Sequence, residues 1–132
     1  MTGLDSNVLV RYFTRDDEAQ ARAARKFIEQ AIGIGERLHV SLVALAELAW
    51  VLRSRYKVKR NEVSTLVESL LSEPGIHVQD SNAVWMALDA CAKAGIDFSD
   101  ALVAAVDRLH GCSHSVTFDA KATRIQGMTL LE

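Results

Sequence analysis

The chain has 132 residues, of which 49% are apolar, and its 15 Lys and Arg against 17 Asp and Glu leave a formal net charge of -2. This length suits one hydrophobic core of roughly 100 to 150 residues, so the sequence predicts a single domain over residues 1–132. The near-neutral charge excludes a protein that coats nucleic acid with its whole surface, although a local basic patch stays compatible with nucleic-acid binding.

Short β-like runs alternate with Ala- and Leu-rich helical runs, which is the pattern of an α/β fold with a mainly parallel sheet between helices. The predicted strands are residues 2–4, 38–40, 76–78 and 115–118. The predicted helices are a short one containing Val8, Leu9 and Tyr12, and then residues 16–32, 41–55, 60–71, 81–93 and 98–110. Residues 120–125 and 128–131 complete the chain.

Only two cysteines occur, Cys91 and Cys112, and no second pair suggests a disulfide framework. A reducing compartment, the cytoplasm, is therefore the expected location. Charged and polar residues precede the first apolar run, and no uncharged stretch reaches the roughly 18 to 20 residues of a membrane span. The sequence predicts neither a signal peptide nor a membrane anchor.

Acidic residues follow three of the predicted strands, at Asp5, Asp80 and Asp119. Ligands of open α/β sheets bind in the crevice beyond the carboxyl ends of the strands, so these positions are candidates for a site. Each acid also has a structural interpretation as the N-cap of the following helix, where a carboxylate accepts hydrogen bonds from free backbone N–H groups. For any one of these acids taken alone, N-capping is the more common role.

Glu47 is the only polar side chain between Leu42 and Leu52, in the run LVALAELAWVL. A helix without a polar face is normally buried, so we expect Glu47 to leave water and to need a cation, a proton or strong hydrogen bonds. The structural alternatives are a protonated or Arg-paired carboxyl group, or a helix end that faces solvent. The cost of burying a carboxylate makes Glu47 the most informative residue of the chain.

The segment Asp97-Phe98-Ser99-Asp100 places two more acids at the start of a predicted helix. Asp97 at the N-cap and Asp100 three residues later resemble a capping arrangement, because acids are favoured in the first turn of a helix. Asp107 lies two turns further on, and we expect it to be solvated rather than a ligand. Asp100 is thus a candidate both for capping and for ligand binding.

Four acids from distant parts of the chain could converge at one end of the sheet: Asp5, Glu47, Asp100 and Asp119. Their mutual repulsion would be severe without a cation, so convergence implies a bound metal ion. Carboxylate oxygens without nearby Cys or His suit Mg²⁺ or Mn²⁺, which bridge carboxylates to substrate phosphates. Hydrolysis of a phosphodiester bond by a metal-activated water is the chemistry that this donor set predicts.

Four short motifs resemble those of one known family, in the same order and at similar separations: LDSNVL from Leu4, Ala-Glu-Leu around Glu47, DFSDAL from Asp97, and Thr-Phe-Asp ending at Asp119. The sequence is similar to PIN domains of the VapC type over essentially the whole chain. The resemblance implies an α/β/α sandwich with a mainly parallel sheet. It also implies a Mg²⁺- or Mn²⁺-dependent endoribonuclease acting on single-stranded RNA, usually the toxin of a bacterial toxin-antitoxin pair, with a cognate antitoxin and a second copy of the chain as partners.

The resemblance also assigns roles to positions. It implies metal-binding and catalytic roles for Asp5, Glu47, Asp100 and Asp119, the last being the more variable acid. Asp97 is a fifth acid of the same motifs and a further candidate ligand. Asn7 and Thr117 match polar positions that orient the acids by hydrogen bonding.

Five cations and no acid occupy the segment after the Glu47 helix: Arg53, Arg55, Lys57, Lys59 and Arg60. This segment could track an RNA backbone toward the acids, with Tyr56 stacking on a base; a solvated connection between two helices is the alternative. Arg11 and Arg15 are a second candidate for phosphate contact. Trp50 and Trp85 lie on apolar helix patterns, so we expect them to pack rather than to stack on bases.

Two other functions match part of the pattern. A phospho-receiver-like signalling module also uses acids at strand ends, and Asp80, Thr117 and Lys121 fit it superficially. A module of that kind gives no role to Glu47. It also requires a pair of acids directly after its first strand, where this chain has only Asp5. A catalytically inactive PIN-like binding module is the other alternative. The four retained acids argue against it, and RNA cleavage by the purified protein would exclude it.

Overall fold

The computed structural model describes all of residues 1–132 and contains six α-helices and five short β-strands. The strands are β1 (Thr2–Gly3), β2 (Leu38–Val40), β3 (Ile76–Val78), β4 (Ser115–Thr117) and β5 (Met128–Leu130). The helices are α1 (Ser6–Phe13), α2 (Glu18–Gly33), α3 (Leu42–Ser54), α4 (Arg60–Ser72), α5 (Ser81–Ala94) and α6 (Phe98–Leu109), and a 3-10 turn (Lys121–Arg124) separates β4 from β5. The predicted α/β fold is confirmed. None of the helices is both long enough and apolar enough to cross a membrane.

The five strands form two parallel sheets instead of the one sheet expected. β1, β2 and β3 pair in that order, so that Leu38 lies opposite Thr2 on one side and Ile76 on the other. β4 and β5 pair with each other, and Ser115 lies opposite Met128. The parallel direction of the strands is as predicted. The strands divide into two sheets because β1 has only two residues, so that its free edge has few backbone groups with which β4 could form hydrogen bonds.

One face of the three-stranded sheet lies against the hydrophobic core. Leu38 and Val40 of β2 and Val78 of β3 are buried, whereas His39 and His77 between them lie on the opposite face. The core continues into the buried sides of α3 and α4, which supply Leu45, Leu48, Leu52, Val63, Val67 and Leu70. The candidate site lies beyond the carboxyl ends of the strands, outside this core.

Two hydrogen bonds fix the first turn of α3, which begins where β2 ends. Ser41 Oγ accepts from the Ala44 N–H (3.1 Å), and Gln79 Oε1, just after β3, accepts from the Leu42 N–H (2.9 Å). These bonds satisfy backbone donors that a helix start leaves free. They also tie α3 to the end of β3, so that Glu47 in the second turn is held near the carboxyl edge of the sheet.

The expectation that α3 is enclosed on all sides is wrong. Val43, Glu47 and Trp50 lie four and three residues apart and share one face, which we call the open face of α3, and all three are exposed. Trp50 is 62% exposed, and Trp85 on α5 is 44% exposed, so neither tryptophan packs in the interior as predicted. Periodicity could not identify this face, because a helix that is apolar all round does not show which side its neighbours will leave uncovered.

Candidate active site

Asp100 lies in the first turn of α6, partly buried, and its pKa is raised above the usual value. Desolvation by burial is the largest cause, followed by the negative charge of Asp119 and then that of Asp97. Charge repulsion of this kind requires the carboxylates to lie near one another. The fold therefore brings the start of α6 together with the turn after β4.

A local turn holds Asp119 in place after β4. Thr117 Oγ1 accepts from the Asp119 N–H (3.0 Å), and Asp119 Oδ1 accepts from the Lys121 N–H (2.9 Å) at the start of the 3-10 turn. Asp119 thus lies one residue before the N-cap, Ala120, instead of being the N-cap as its structural alternative supposed, and its charge acts on Asp100. Thr117 positions this acid through the backbone, and Oδ2 of Asp119 makes no hydrogen bond within the protein.

Asp5 follows β1 and occupies the N-cap position of α1, where its backbone carbonyl accepts from the N–H groups of Val8 and Leu9 (3.0 and 3.2 Å). Its side chain is exposed and makes no capping hydrogen bond. The carboxylate is therefore free to bind a ligand. Asn7 is exposed and makes no side-chain hydrogen bond, so the predicted orienting contact between Asn7 and the acids is not formed in this structure.

Glu47 is exposed on the open face of α3, which corrects the expectation that its carboxylate leaves water. It forms no ion pair, and hydration replaces the compensating cation or proton that burial would have demanded. The Ser99 hydroxyl donates to the carbonyl oxygen of Ala46, the residue before Glu47 (3.4 Å). This contact joins α3, one residue before Glu47, to the first turn of α6, which contains Asp100.

Asp97 is the N-cap residue of α6, but its side chain does not cap the helix. Its Oδ1 accepts instead from Arg53 Nε (3.1 Å) and Arg60 Nε (2.9 Å), and we call these three residues the Asp97 clamp. Arg53 also donates through Nη1 to the carbonyl oxygen of Val58 (3.0 Å). The expected capping arrangement is wrong for Asp97, because two guanidinium groups outcompete the backbone N–H groups for its carboxylate. The clamp joins the end of α3, the start of α4 and the start of α6.

Sequence reasoning missed the Asp97 clamp and the Ser99 contact. The only signal for the clamp was a segment of five cations without an acid, since such a segment needs solvent or an acid from elsewhere in the chain. No spacing rule relates Asp97 to Arg53, which lies 44 residues earlier. Ser99 gave no signal, because a serine in the first turn of a helix is a common residue there.

Removing the clamp is expected to weaken the fold slightly. Asp97→Asn should lower the free energy of unfolding by about 0.5 to 1 kcal/mol, since exposed ion pairs contribute little individually. Adding Arg53→Gln to that variant should cost little more, because both changes delete the same interaction. Urea unfolding of the single and double variants measures the coupling, with Lys93→Gln, which removes the separate exposed pair with Asp89, as the control. Fully additive losses would contradict the pairing.

Arg11 takes part in a hydrogen-bond network with three other side chains. It donates to Asp16 (2.8 Å), Tyr56 (3.2 Å) and Gln20 (2.7 Å), and the Tyr56 hydroxyl donates to Asp16 (2.8 Å). The hydrogen bond from Tyr56, and then that from Arg11, holds the pKa of Asp16 below its usual value. The charge of Arg11 is compensated within this network, whereas Arg15 is exposed and forms no ion pair.

The basic segment after the Glu47 helix divides into two groups. Arg53 and Arg60 belong to the Asp97 clamp, whereas Arg55, Lys57 and Lys59 are exposed and form no ion pair. Arg55, Lys57 and Lys59 can therefore contact a phosphate without breaking an ion pair within the protein, whereas Arg53 and Arg60 cannot.

The residues at the site suit a hard divalent cation. No three His, Cys, Asp or Glu side chains lie close enough together to hold one ion as they stand. Mg²⁺, however, commonly binds through one or two carboxylates and retains several waters, and substrate phosphates supply further ligands. Asp100 and Asp119 offer such a pair, and a cation would relieve the repulsion that raises the pKa of Asp100. Asp5 and Glu47 are exposed carboxylates that form no ion pair, so their charge is available to a ligand.

Comparison with known proteins identifies the family to which this fold and these acids belong. A family model described as PIN domain matches residues 4–128, and the chain belongs to the PIN domain family. The chain is also similar to a VapC ribonuclease of Aquifex aeolicus (strain VF5), with 24% identity over 122 residues, 92% of this chain and 90% of that relative. The resemblance inferred from the four motifs is confirmed. A match over nearly the whole chain also sets aside the phospho-receiver alternative.

Proposed function

We propose that this protein is a Mg²⁺- or Mn²⁺-dependent endoribonuclease that hydrolyses phosphodiester bonds of single-stranded RNA. The observation that carries the proposal is the partly buried carboxyl group of Asp100 in the first turn of α6, whose pKa is raised first by burial and then by the charges of Asp119 and Asp97, so that a bound cation would be favoured there. The PIN domain fold and the similarity to a VapC ribonuclease support the same chemistry.

Four acids are the proposed metal-binding and catalytic residues: Asp5, Glu47, Asp100 and Asp119. A bound Mg²⁺ or Mn²⁺ would polarise a phosphoryl oxygen and lower the pKa of a water molecule that attacks phosphorus. Asp100 and Asp119 would hold the ion, and the hydrogen bond from the Asp119 N–H to Thr117 Oγ1 holds the backbone of Asp119 in its turn. The exposed carboxylates of Asp5 and Glu47 are proposed to orient waters or the attacking nucleophile by accepting hydrogen bonds.

The Asp97 clamp is proposed to position Asp100 rather than to bind the metal. Asp97 Oδ1 is already shared by two guanidinium groups, so ligation through this atom would require both ion pairs to be given up. By holding Asp97 at the N-cap of α6, the clamp would limit the movement of Asp100 in the first turn of that helix. Positioning of this kind limits the reorganisation that substrate binding would otherwise need.

A direct test of the activity is cleavage of a labelled single-stranded RNA by the purified protein. Cleavage is expected with Mg²⁺ or Mn²⁺ and is expected to cease in excess chelator, then return when the metal is restored. Absence of cleavage with every divalent metal and several RNA sequences would favour the inactive PIN-like binding module. Full activity in chelator, after trace-metal controls, would rule out the metal-dependent mechanism.

The exposed cations of the basic segment are proposed to contact RNA phosphates, together with Arg15. Replacing Arg55, Lys57 and Lys59 by Gln should reduce the slope of log affinity against log salt by about 0.7 for each lost contact with single-stranded RNA. The matched control is Arg53→Gln/Arg60→Gln, which removes two cations that the Asp97 clamp already engages. Equal changes of this slope in both variants would show that the exposed cations and the cations of the Asp97 clamp contribute equally to RNA binding. An unchanged slope in both would assign the segment to a solvated connection.

The similarity to a VapC ribonuclease also supports a role as the toxin of a toxin-antitoxin module, with a cognate antitoxin and a second copy of the chain as partners. Expression of this chain alone should then arrest bacterial growth, and expression of Asp100→Asn should not. A cognate antitoxin is expected to cover the four acids and to block cleavage. A tight partner that binds without protecting the acids, and leaves cleavage unchanged, would contradict inhibition by occupation of the site.

A further inference from the structure

Two histidines stand side by side on the face of the three-stranded sheet that does not line the core. The parallel register places His39 of β2 directly opposite His77 of β3. Their Nδ1 atoms are 3.0 Å apart, and the ring planes differ by 20° with centroids 5.2 Å apart. Because the nitrogens are much closer than the ring centres, the two Nδ1 atoms face each other within hydrogen-bond distance, and the ring tautomers decide which of them donates. We call these residues the histidine pair.

The histidine pair is accessible to solvent. Neither ring forms an ion pair, His77 is exposed, and His39 is partly exposed. The next position in the same row of the sheet is Gly3, which lies opposite His39, and a Cβ placed on Gly3 would meet no atom within 4 Å. Solvent molecules therefore have access to the pair from the β1 side. Nothing in the proposed nuclease mechanism uses either histidine.

We propose that the histidine pair is a binding site for a borderline transition-metal ion, Zn²⁺ or Cu²⁺, separate from the acidic site. Two imidazole nitrogens bound to one such ion at about 2.0 to 2.1 Å are about 2.9 to 3.4 Å apart, depending on the coordination geometry. The separation of 3.0 Å already lies in that range. Rotation of the rings would direct both Nδ1 lone pairs at the ion, and a hydrogen carried on either Nδ1 would move to Nε2 of the same ring through exchange with solvent.

The histidine pair and the acidic site are expected to bind different metal ions, because their ligand atoms differ. Imidazole nitrogen is a good ligand for Zn²⁺ and Cu²⁺, whereas carboxylate and water oxygens suit Mg²⁺ and Mn²⁺. Waters would complete the coordination on the open side next to Gly3. A bound ion would link β2 to β3 by two coordinate bonds in place of one hydrogen bond. We therefore expect it to stabilise the folded state, because the unfolded chain does not hold the two rings together.

The test is isothermal titration of the full chain with ZnCl₂ in saturating Mg²⁺, which occupies the carboxylates. Wild-type protein is expected to bind one Zn²⁺, and His77→Gln is expected to weaken that binding at least about tenfold, because the second ligand of a chelate acts at high effective concentration. His39→Gln should weaken it to a similar extent. His114→Gln removes an exposed histidine outside the pair and is the matched control; it should leave the affinity unchanged.

Two further measurements distinguish the histidine pair from other ligands. The electron paramagnetic resonance spectrum of bound Cu²⁺ should show coupling to two nitrogens in wild type and to fewer in His77→Gln. Zn²⁺ should raise the melting temperature of wild type and of Asp5→Asn, but not that of His77→Gln. Equal zinc affinity in wild type and both pair variants would overturn the proposal, as would loss of zinc binding in Asp5→Asn or His114→Gln with the pair intact. Circular dichroism confirms that each variant is folded.

Discussion

Asp100→Asn is expected to abolish RNA cleavage and at the same time to raise the melting temperature of the metal-free protein at neutral pH. The loss of activity should be at least about 100-fold, because the proposed metal ion contributes several kcal/mol to the transition state through its ligands. The gain in stability follows from the raised pKa of Asp100, since burial and the charges of Asp119 and Asp97 all disfavour its ionised form. Asn removes that charge and retains the shape of the side chain.

The pH dependence of this stability change has a defined sign. Folding raises the pKa of Asp100, so the folded protein binds this proton more tightly than the unfolded chain does. The free energy of unfolding of wild type therefore falls as pH rises from the unfolded pKa of about 3.9 through the raised folded pKa. The stability advantage of Asp100→Asn should be complete above that window and absent below about pH 4.

Thermal unfolding across this pH range, with and without Mg²⁺, separates the two roles of Asp100. If Asp100 were only a cap, Asn would replace it with little change, whereas Asp100→Ala would cost roughly 0.5 to 2 kcal/mol. Glu68→Gln is the control, because Glu68 is an exposed carboxylate of α4 that forms no ion pair and has no proposed catalytic role. A rise in melting temperature with Mg²⁺ that persists in Asp100→Asn would contradict metal binding at this residue.

Asp5→Asn and Glu47→Gln are each expected to abolish cleavage, again by at least about 100-fold, while leaving the fold intact. Both side chains are exposed, and Asp5 makes no capping hydrogen bond, so the free energy of unfolding should change by less than about 0.5 kcal/mol. Asp119→Asn should reduce cleavage to a similar extent, because it removes one charge of the pair proposed to hold the metal, while its amide oxygen can still accept from the Lys121 N–H and hold the turn.

Single-turnover cleavage of one RNA over a range of Mg²⁺ concentrations measures these effects. Variants that lose a ligand should require more Mg²⁺ for half-maximal rate, which separates weaker metal binding from misfolding. Glu68→Gln, an exposed carboxylate of α4 outside the site, is the control and should cleave as wild type does. Wild-type rates and metal requirement in both Asp5→Asn and Glu47→Gln would mean that these acids do not act in the reaction.

Local patterns in the sequence were enough to predict the elements of this fold. Gly95 ends α5 in a left-handed conformation with φ of 67°, and Ser41 caps α3, as such residues do at helix ends. Strands β2 and β3 agree with their predicted limits, since short apolar runs between helices leave little choice. The four motifs likewise indicated the PIN family, because each depends on adjacent residues and on chain order alone.

The sequence by itself determined which residues carry negative charge at strand and helix ends, and hence which chemistry the chain can offer. The tertiary structure decided how each acid is used, because burial, ion pairing and repulsion depend on residues far away in the chain. Asp97 is drawn to Arg53 and Arg60, Asp100 is desolvated beside Asp119, and Glu47 stays in water on the open face of α3. A helical pattern specifies the spacing of side chains around its axis, but only the packing of other elements specifies which of them keep their water.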